Sequence, residues 1–296
     1  MKAWKAIRGQ LVDFYVYLAL PMVSVFLPAA WSRALLARSS GFSWVLSSEA
    51  GAALASASDF VDTGDRSVWK ARWKQVEMLD VRDTYLMSFG RTRSVLAETE
   101  CETDIEDVRD KVLIGMHWGP SISILKILQT AGLNPALPFR RPEKQILRVR
   151  PFFYFYVTLA ARHIVKTMGE RAVPIGGAGK ALRAMMDQPG SVIVVMDAPP
   201  RKDRPTLSAT VLGKNAVFEA GFPGILADNK KQYFLYALSL QPGGLVRKKL
   251  ELEGPYCADD AQEFLHNYAG FLDRHLSSDP AQWRIWHVAR QFWPEP

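Results

Sequence analysis

The residues most able to do chemistry fall in two short stretches. In the first, the charged pair Asp110-Lys111 gives way to Val112-Leu113-Ile114, an apolar run that reads as a buried strand. His117, Trp118 and Gly119 follow, and Pro120 opens a helical pattern whose apolar face is Ile122, Leu125, Ile127 and Leu128. Ligands of α/β folds bind where strands end and helices begin, and an imidazole placed there can act as a general base. A core histidine satisfied by a backbone carbonyl is the alternative reading of His117. In the second stretch, the strand pattern Ser191 to Met196 ends in Asp197-Ala198-Pro199-Pro200-Arg201-Lys202-Asp203-Arg204. Clustered bases such as Arg201, Lys202 and Arg204 suit phosphate or carboxylate, and a solvated turn is the plainer reading.

Elements must hold these residues in place. Ser47 to Leu96 reads as two polar-faced helices, the second running from Ser67 through Met87, with the look of structural cover. After the central strand and helix comes Glu143 to His163, whose middle, P-F-F-Y-F-Y-V, suits a core or the wall of an acyl-chain groove. Further strands are expected over Leu207 to Leu212, Tyr233 to Leu240 and Leu245 to Leu252. The first is followed by a turn at Gly213 to Ala216 and a helix from Phe218 to Asp228; Pro242-Gly243-Gly244 joins the other two as a hairpin. Helices over Asp259 to Leu276 and Pro280 to Phe292 close the chain. This order predicts a mixed α/β fold with a largely parallel central sheet flanked by helices.

The amino terminus is different in kind. Lys2, Lys5 and Arg8 precede Phe14 to Ser32, a run without a charged residue that is just long enough to cross a bilayer. Pro21 and Pro28 interrupt helical hydrogen bonding there, and Trp4, Tyr15, Tyr17 and Trp31 are interfacial aromatics. A helical membrane-associating segment over residues 1–40, kinked across the bilayer or lying on it, is expected ahead of a single α/β domain over 41–296. A cleaved signal peptide and a buried core helix are the alternatives.

Composition narrows the classes. The 296 residues are 48% hydrophobic and 23% charged, as in a globular chain. A net charge of +7 and a pI near 9.4 favour an anionic partner. The basic residues are dispersed, without a zinc-finger spacing or an RNA-binding aromatic signature, so nucleic acid is not expected. Cys101 and Cys257 form no disulfide framework and no metal-ligand pair, and no metal is expected. Gly176-Gly177-Ala178-Gly179-Lys180 fails as a phosphate loop, because Ala181 replaces the Ser/Thr and Pro174 stands at the first glycine position; it reads as a turn opening a helix from Lys180 to Met186. No G-x-S-x-G elbow supports a serine hydrolase.

Taken in order, the pieces resemble the lipid A biosynthesis acyltransferases, the lauroyl and myristoyl transferases, within the glycerolipid and lysophospholipid acyltransferase superfamily. The resemblance covers nearly the whole chain. It rests on Met116-His117-Trp118-Gly119, on V-V-M-D-A-P-P ending at Pro200, on L-G-K-N-A-V-F-E-A-G-F-P-G-I-L-A from Leu212, and on P-A-Q-W-R-I-W-H-V-A-R from Pro280. It implies an acyl chain moved from acyl carrier protein or acyl-CoA to a hydroxyl or amine of a lipid or glycolipid, at the cytoplasmic face of a bacterial inner membrane. The donor is a thioester substrate and no cofactor is implied. His117 takes the place of the family's general base. The family's carboxylate, with four residues between it and the histidine, falls on Ile122, which cannot orient an imidazole. Ser121, Ser123, a backbone carbonyl or Asp197 can supply the acceptor instead; a relative that binds acyl chains without turnover is the alternative. Trp118, Gly119, Arg201, Lys202, Arg204 and Lys214 fall on the substrate side, with backbone N–H groups near Gly119 or Arg201 as oxyanion donors.

Overall fold

The computed structural model describes residues 2–101, 105–174, 178–243 and 247–294. Its strands are β1 (Thr99–Cys101), β2 (Val112–Gly115), β3 (Leu137–Phe139), β4 (Ala172–Pro174), β5 (Val192–Val195), β6 (Thr206–Val211), β7 (Lys214–Glu219), β8 (Tyr233–Leu240) and β9 (Lys248–Tyr256). Five of them form the central sheet in the order β1-β9-β8-β2-β5, parallel except between β8 and β9. The mixed, largely parallel sheet expected from the sequence is present. Along β2 the side chains alternate: Leu113 packs with Ile193, Phe234 and Leu125, whereas Val112 and Ile114 join the larger cluster that contains Val76, Leu79 and Leu235. Both faces of the sheet are therefore covered, as parallel strands require.

The long helix Arg66–Ser88 lies against the larger cluster. Asp65 starts it by accepting from the N–H groups of Ser67 and Val68, a cap worth about 1 kcal/mol. It is more than cover: Asp80, Arg82 and Asp83 are all buried on it.

The segment after β5 departs from expectation. Leu212 and Gly213 both have positive φ, at 55° and 68°, and so close a two-residue turn between β6 and β7. Lys214-Asn215-Ala216 return as a strand that buries Ala216 and Phe218, and the helix begins only at Gly221, running to Asn229. The strand expected from Leu245 runs from Lys248 to Tyr256; residues 244–246, like Gly176 and Gly177, lie outside the described residues. The chain end expected as one helix is instead two 3-10 turns, Pro280–Gln282 and Trp286–Gln291. Trp286 and Ala289 are buried at the spacing of three that a 3-10 helix aligns, whereas buried Trp283, before that turn, is extended and bridges to Trp118.

The amino-terminal segment is built into the same core. Its helix Lys2–Phe14 passes through a wide π-turn, Tyr15–Ala19, into Leu20–Phe26. Pro21 lacks the N–H that would reach the Tyr17 carbonyl, and the Tyr85 hydroxyl donates to that carbonyl instead. Leu27, before Pro28, is extended and ends the helix, and Arg91 caps the carbonyls of Val25 and Leu27. Val12, Val16, Tyr17, Leu20 and Val25 belong to the main core cluster, and Tyr17 stacks on Tyr156. A boundary at residue 40 therefore does not separate two cores. The stretch Ala6–Phe26 is long and apolar enough to cross a membrane, with 44% of its most apolar window buried against the rest of the protein.

Candidate active site

Sheet register assembles the site. Gly115 at the end of β2 pairs with Val195 at the end of β5, so the residues two positions further along each strand, His117 and Asp197, emerge side by side at the same sheet edge. Nδ1 of His117 lies 2.7 Å from Oδ1 of Asp197, and the His117 backbone N–H donates to Oδ2 at 2.8 Å. Trp283 Nε1 donates to that same Oδ2 at 2.7 Å. Asp197 is fully buried, and three donors converge on its carboxylate, leaving it little freedom to turn. With an acceptor at Nδ1, the neutral ring keeps its proton there and presents Nε2 as a base. Nε2 has no hydrogen-bond partner among the described residues, and the side chain is 44% exposed.

Two glycines permit this approach. A Cβ on Gly115 would lie 2.4 Å from the Tyr236 ring, and one on Gly119, whose φ is +55°, would lie 1.9 Å from the Leu238 carbonyl oxygen. Gly119 donates its own N–H to the Gln282 carbonyl at 3.0 Å, while Gln282 clamps both backbone groups of Leu240. The loop after β2 is thus fastened to the chain end. The Arg284 N–H donating to the His117 carbonyl at 2.9 Å fastens it a second time.

A charged network lies behind the imidazole. Arg284 makes a bidentate pair with Glu77, at 2.8 and 3.1 Å, and reaches Asp80 at 3.0 Å. Asp80 also accepts from Tyr156 and from the Ile122 N–H, both at 3.1 Å. Burial disfavours the imidazolium form of His117, but the charge and hydrogen bond of Asp197 outweigh it. The ring pKa is therefore raised above its ordinary value of 6.5, with Arg284 lowering it and Glu77 raising it in smaller measure.

The expected site residues divide. His117 and Asp197 meet, so Asp197 supplies the carboxylate that Ile122 cannot. Ser121 does not orient the imidazole: it begins the 3-10 turn Ser121–Ser123, and its hydroxyl has no partner among the described residues. Ser123 bonds back to the Pro120 carbonyl. Trp118 is buried in the core, with Nε1 on Ser239 and its ring edge-on to His275, away from the open Nε2 of His117. The backbone donors expected near Gly119 are all engaged, since His117, Trp118 and Gly119 donate to Asp197, Met116 and Gln282. Arg201 pairs with Glu219 at 2.9 Å, whereas Lys202 and Arg204 are exposed and make no ion pair among the described residues. Lys214 lies elsewhere: it donates to the Asp59 carbonyl and sits over Phe60, in a separate cleft of about 1120 Å³ lined also by Arg290 and Trp293.

Sequence reasoning missed Glu77, Asp80, Tyr156, Trp283 and Arg284. The available signal was the charged residues Glu77, Asp80, Arg82 and Asp83 interleaved with the apolar positions of one long helix, but their partners are distant in sequence. The chain matches no protein-family model and no curated protein.

Proposed function

We propose that the protein is an acyltransferase in which His117, held by Asp197, is the general base, and that it belongs with the lipid A type acyltransferases it resembles. The observation that carries this reading is the open Nε2 of an imidazole whose other nitrogen is fixed by a buried carboxylate. In the proposed reaction Nε2 takes the proton of an acceptor hydroxyl or amine, whose oxygen or nitrogen attacks the thioester carbonyl of an acyl carrier protein or acyl-CoA donor. The new acyl bond forms as the C–S bond breaks, and the thiolate leaves with the proton returned from the imidazolium. The Asp197 partner answers the main argument for an inactive relative, namely the missing carboxylate at Ile122. A serine hydrolase reading lacks its nucleophile, since no serine bonds to Nε2 among the described residues.

A lipid or glycolipid acceptor at the cytoplasmic face of an inner membrane fits the amino-terminal segment. Trp4, Ile7, Leu11 and Phe14 fall on one exposed face of its first helix, and Phe26 and Trp31 extend that apolar surface. Lys202 and Arg204, on a turn that leaves the sheet at the His117 edge, are available to an anionic part of donor or acceptor.

The test is transfer of a labelled acyl group from acyl carrier protein or CoA to extracted bacterial lipids, with products identified by mass spectrometry. We expect a labelled lipid product, with turnover lowered about 10²-fold or more in His117→Ala at an unchanged unfolding midpoint. No product with either donor, or undiminished turnover in the variant, would overturn the assignment.

A further inference from the structure

A second cluster of polar groups lies apart from His117. The helix Pro151–Met168 carries Leu159, Arg162, His163 and Lys166 at i, i+3, i+4 and i+7, on one face. Together with Lys126 from the helix Ile124–Thr130 and Ser88 from the end of the long helix, they line a cleft of about 150 Å³. No carboxylate lines it. Arg162 and Lys166 make no ion pair among the described residues, and Lys126 reaches only the Gln129 side-chain oxygen at 2.5 Å. His163 is 4% exposed, and its Nε2 is buried without a hydrogen-bond partner, as is the Ser88 hydroxyl. Buried polar atoms without a partner, able to donate, beside three cations would each gain from an acceptor of negative charge.

We propose that this cleft binds a phosphate group, with Arg162, Lys166 and Lys126 matching its charge and His163 Nε2–H and the Ser88 hydroxyl donating to its oxygens. The volume admits one phosphate and its ester link, so the rest of any ligand must lie outside the cleft. Burial first, then Lys126 and Lys166, push the His163 pKa down to about 4, so the ring is neutral and donates from one nitrogen. Exposed Phe89 follows Ser88, and exposed Phe155 lies one turn before Leu159, so an apolar chain attached to the phosphate has a surface to lie on. The site does not depend on the reaction assigned to His117.

Inorganic phosphate is titrated into the full chain in detergent, with calorimetry for affinity and NMR of ring-labelled histidines as the local reporter. Saturable binding should move the His163 resonance and raise its titration midpoint from about 4, because the bound anion offsets Lys126 and Lys166. Arg162→Gln/Lys166→Gln, both exposed positions, should weaken binding about tenfold or more with the unfolding midpoint retained. The phosphate source is then read in two arms. Wild type, but not the double variant, floating preferentially with phosphatidic acid vesicles over phosphatidylcholine vesicles assigns a lipid headgroup; glycerol 1-phosphate displacing inorganic phosphate without vesicle preference assigns a soluble ester. Either result supports the site. A His163 resonance unmoved by phosphate, or equal affinity in wild type and double variant, overturns it.

Discussion

Two buried charge clusters hang from neighbouring positions of the same helix, yet they are built for different ends. Glu77 and Asp80 face Arg284, two carboxylates against one cation, and Arg284 and Glu77 keep 19% and 17% exposure beside the imidazole. Arg82 and Asp83, on the following turn, meet Glu98, Lys248 and Arg33: three cations against two carboxylates, with Arg82, Asp83, Glu98 and Lys248 at 5% exposure or less. The first cluster carries one excess negative charge and touches the His117 loop through the Arg284 N–H; the second carries one excess positive charge, lies deeper and ties β9 to the helix. A buried ion pair says little about function until its charge balance and its neighbours are known.

The comparison can be broken at several points. The largest effect is expected at Asp197, where Asn would present an N–H to Nδ1 and force the wrong ring tautomer. Turnover should fall about 10³- to 10⁴-fold, measured as kcat with the labelled donor, with little loss of folded protein. Lys248→Met should act in the opposite way: it removes one of the two cations on buried Asp83 and leaves Arg82, so stability should fall by about 1–3 kcal/mol in urea unfolding while turnover per folded molecule stays unchanged. Gly119→Ala should affect both readouts, since its Cβ would collide with the Leu238 backbone and shift the His117 loop; a lowered unfolding midpoint is expected together with lost turnover. The smallest effect belongs to Glu77→Gln. Glu77 raises the His117 pKa, so its removal should move the acid limb of the pH–rate profile to lower pH. A Glu77→Gln shift to higher pH, or a Lys248→Met variant stable but inactive, would erase the distinction between the clusters.

Much of this site is legible in the sequence, for a physical reason. The runs ending at His117 and Asp197 are short, apolar and of one period, so the strands and their chemical ends stand out, and parallel register does the rest. Partners that approach from other elements leave no local trace. Trp283 and Arg284 reach the site because the chain leaves helical geometry between two 3-10 turns and Trp283 bridges to Trp118, where an α-helical reading would rotate them away. The β6–β7 hairpin was masked by Leu212, an unusual residue for a turn position with positive φ. The amino-terminal helix is apolar enough for a membrane and also packs into the core, and its composition alone does not separate the two roles.

The central claim is that Asp197 does for His117 what a carboxylate at position 122 would do in the family it resembles. NMR titration of the His117 ring in wild type and Asp197→Asn tests it directly. Protonation is favoured by the Asp197 charge and opposed by burial, so the wild-type midpoint should lie above 6.5, and loss of the charge should carry the variant below 6.5. The same midpoint in both proteins would contradict the account.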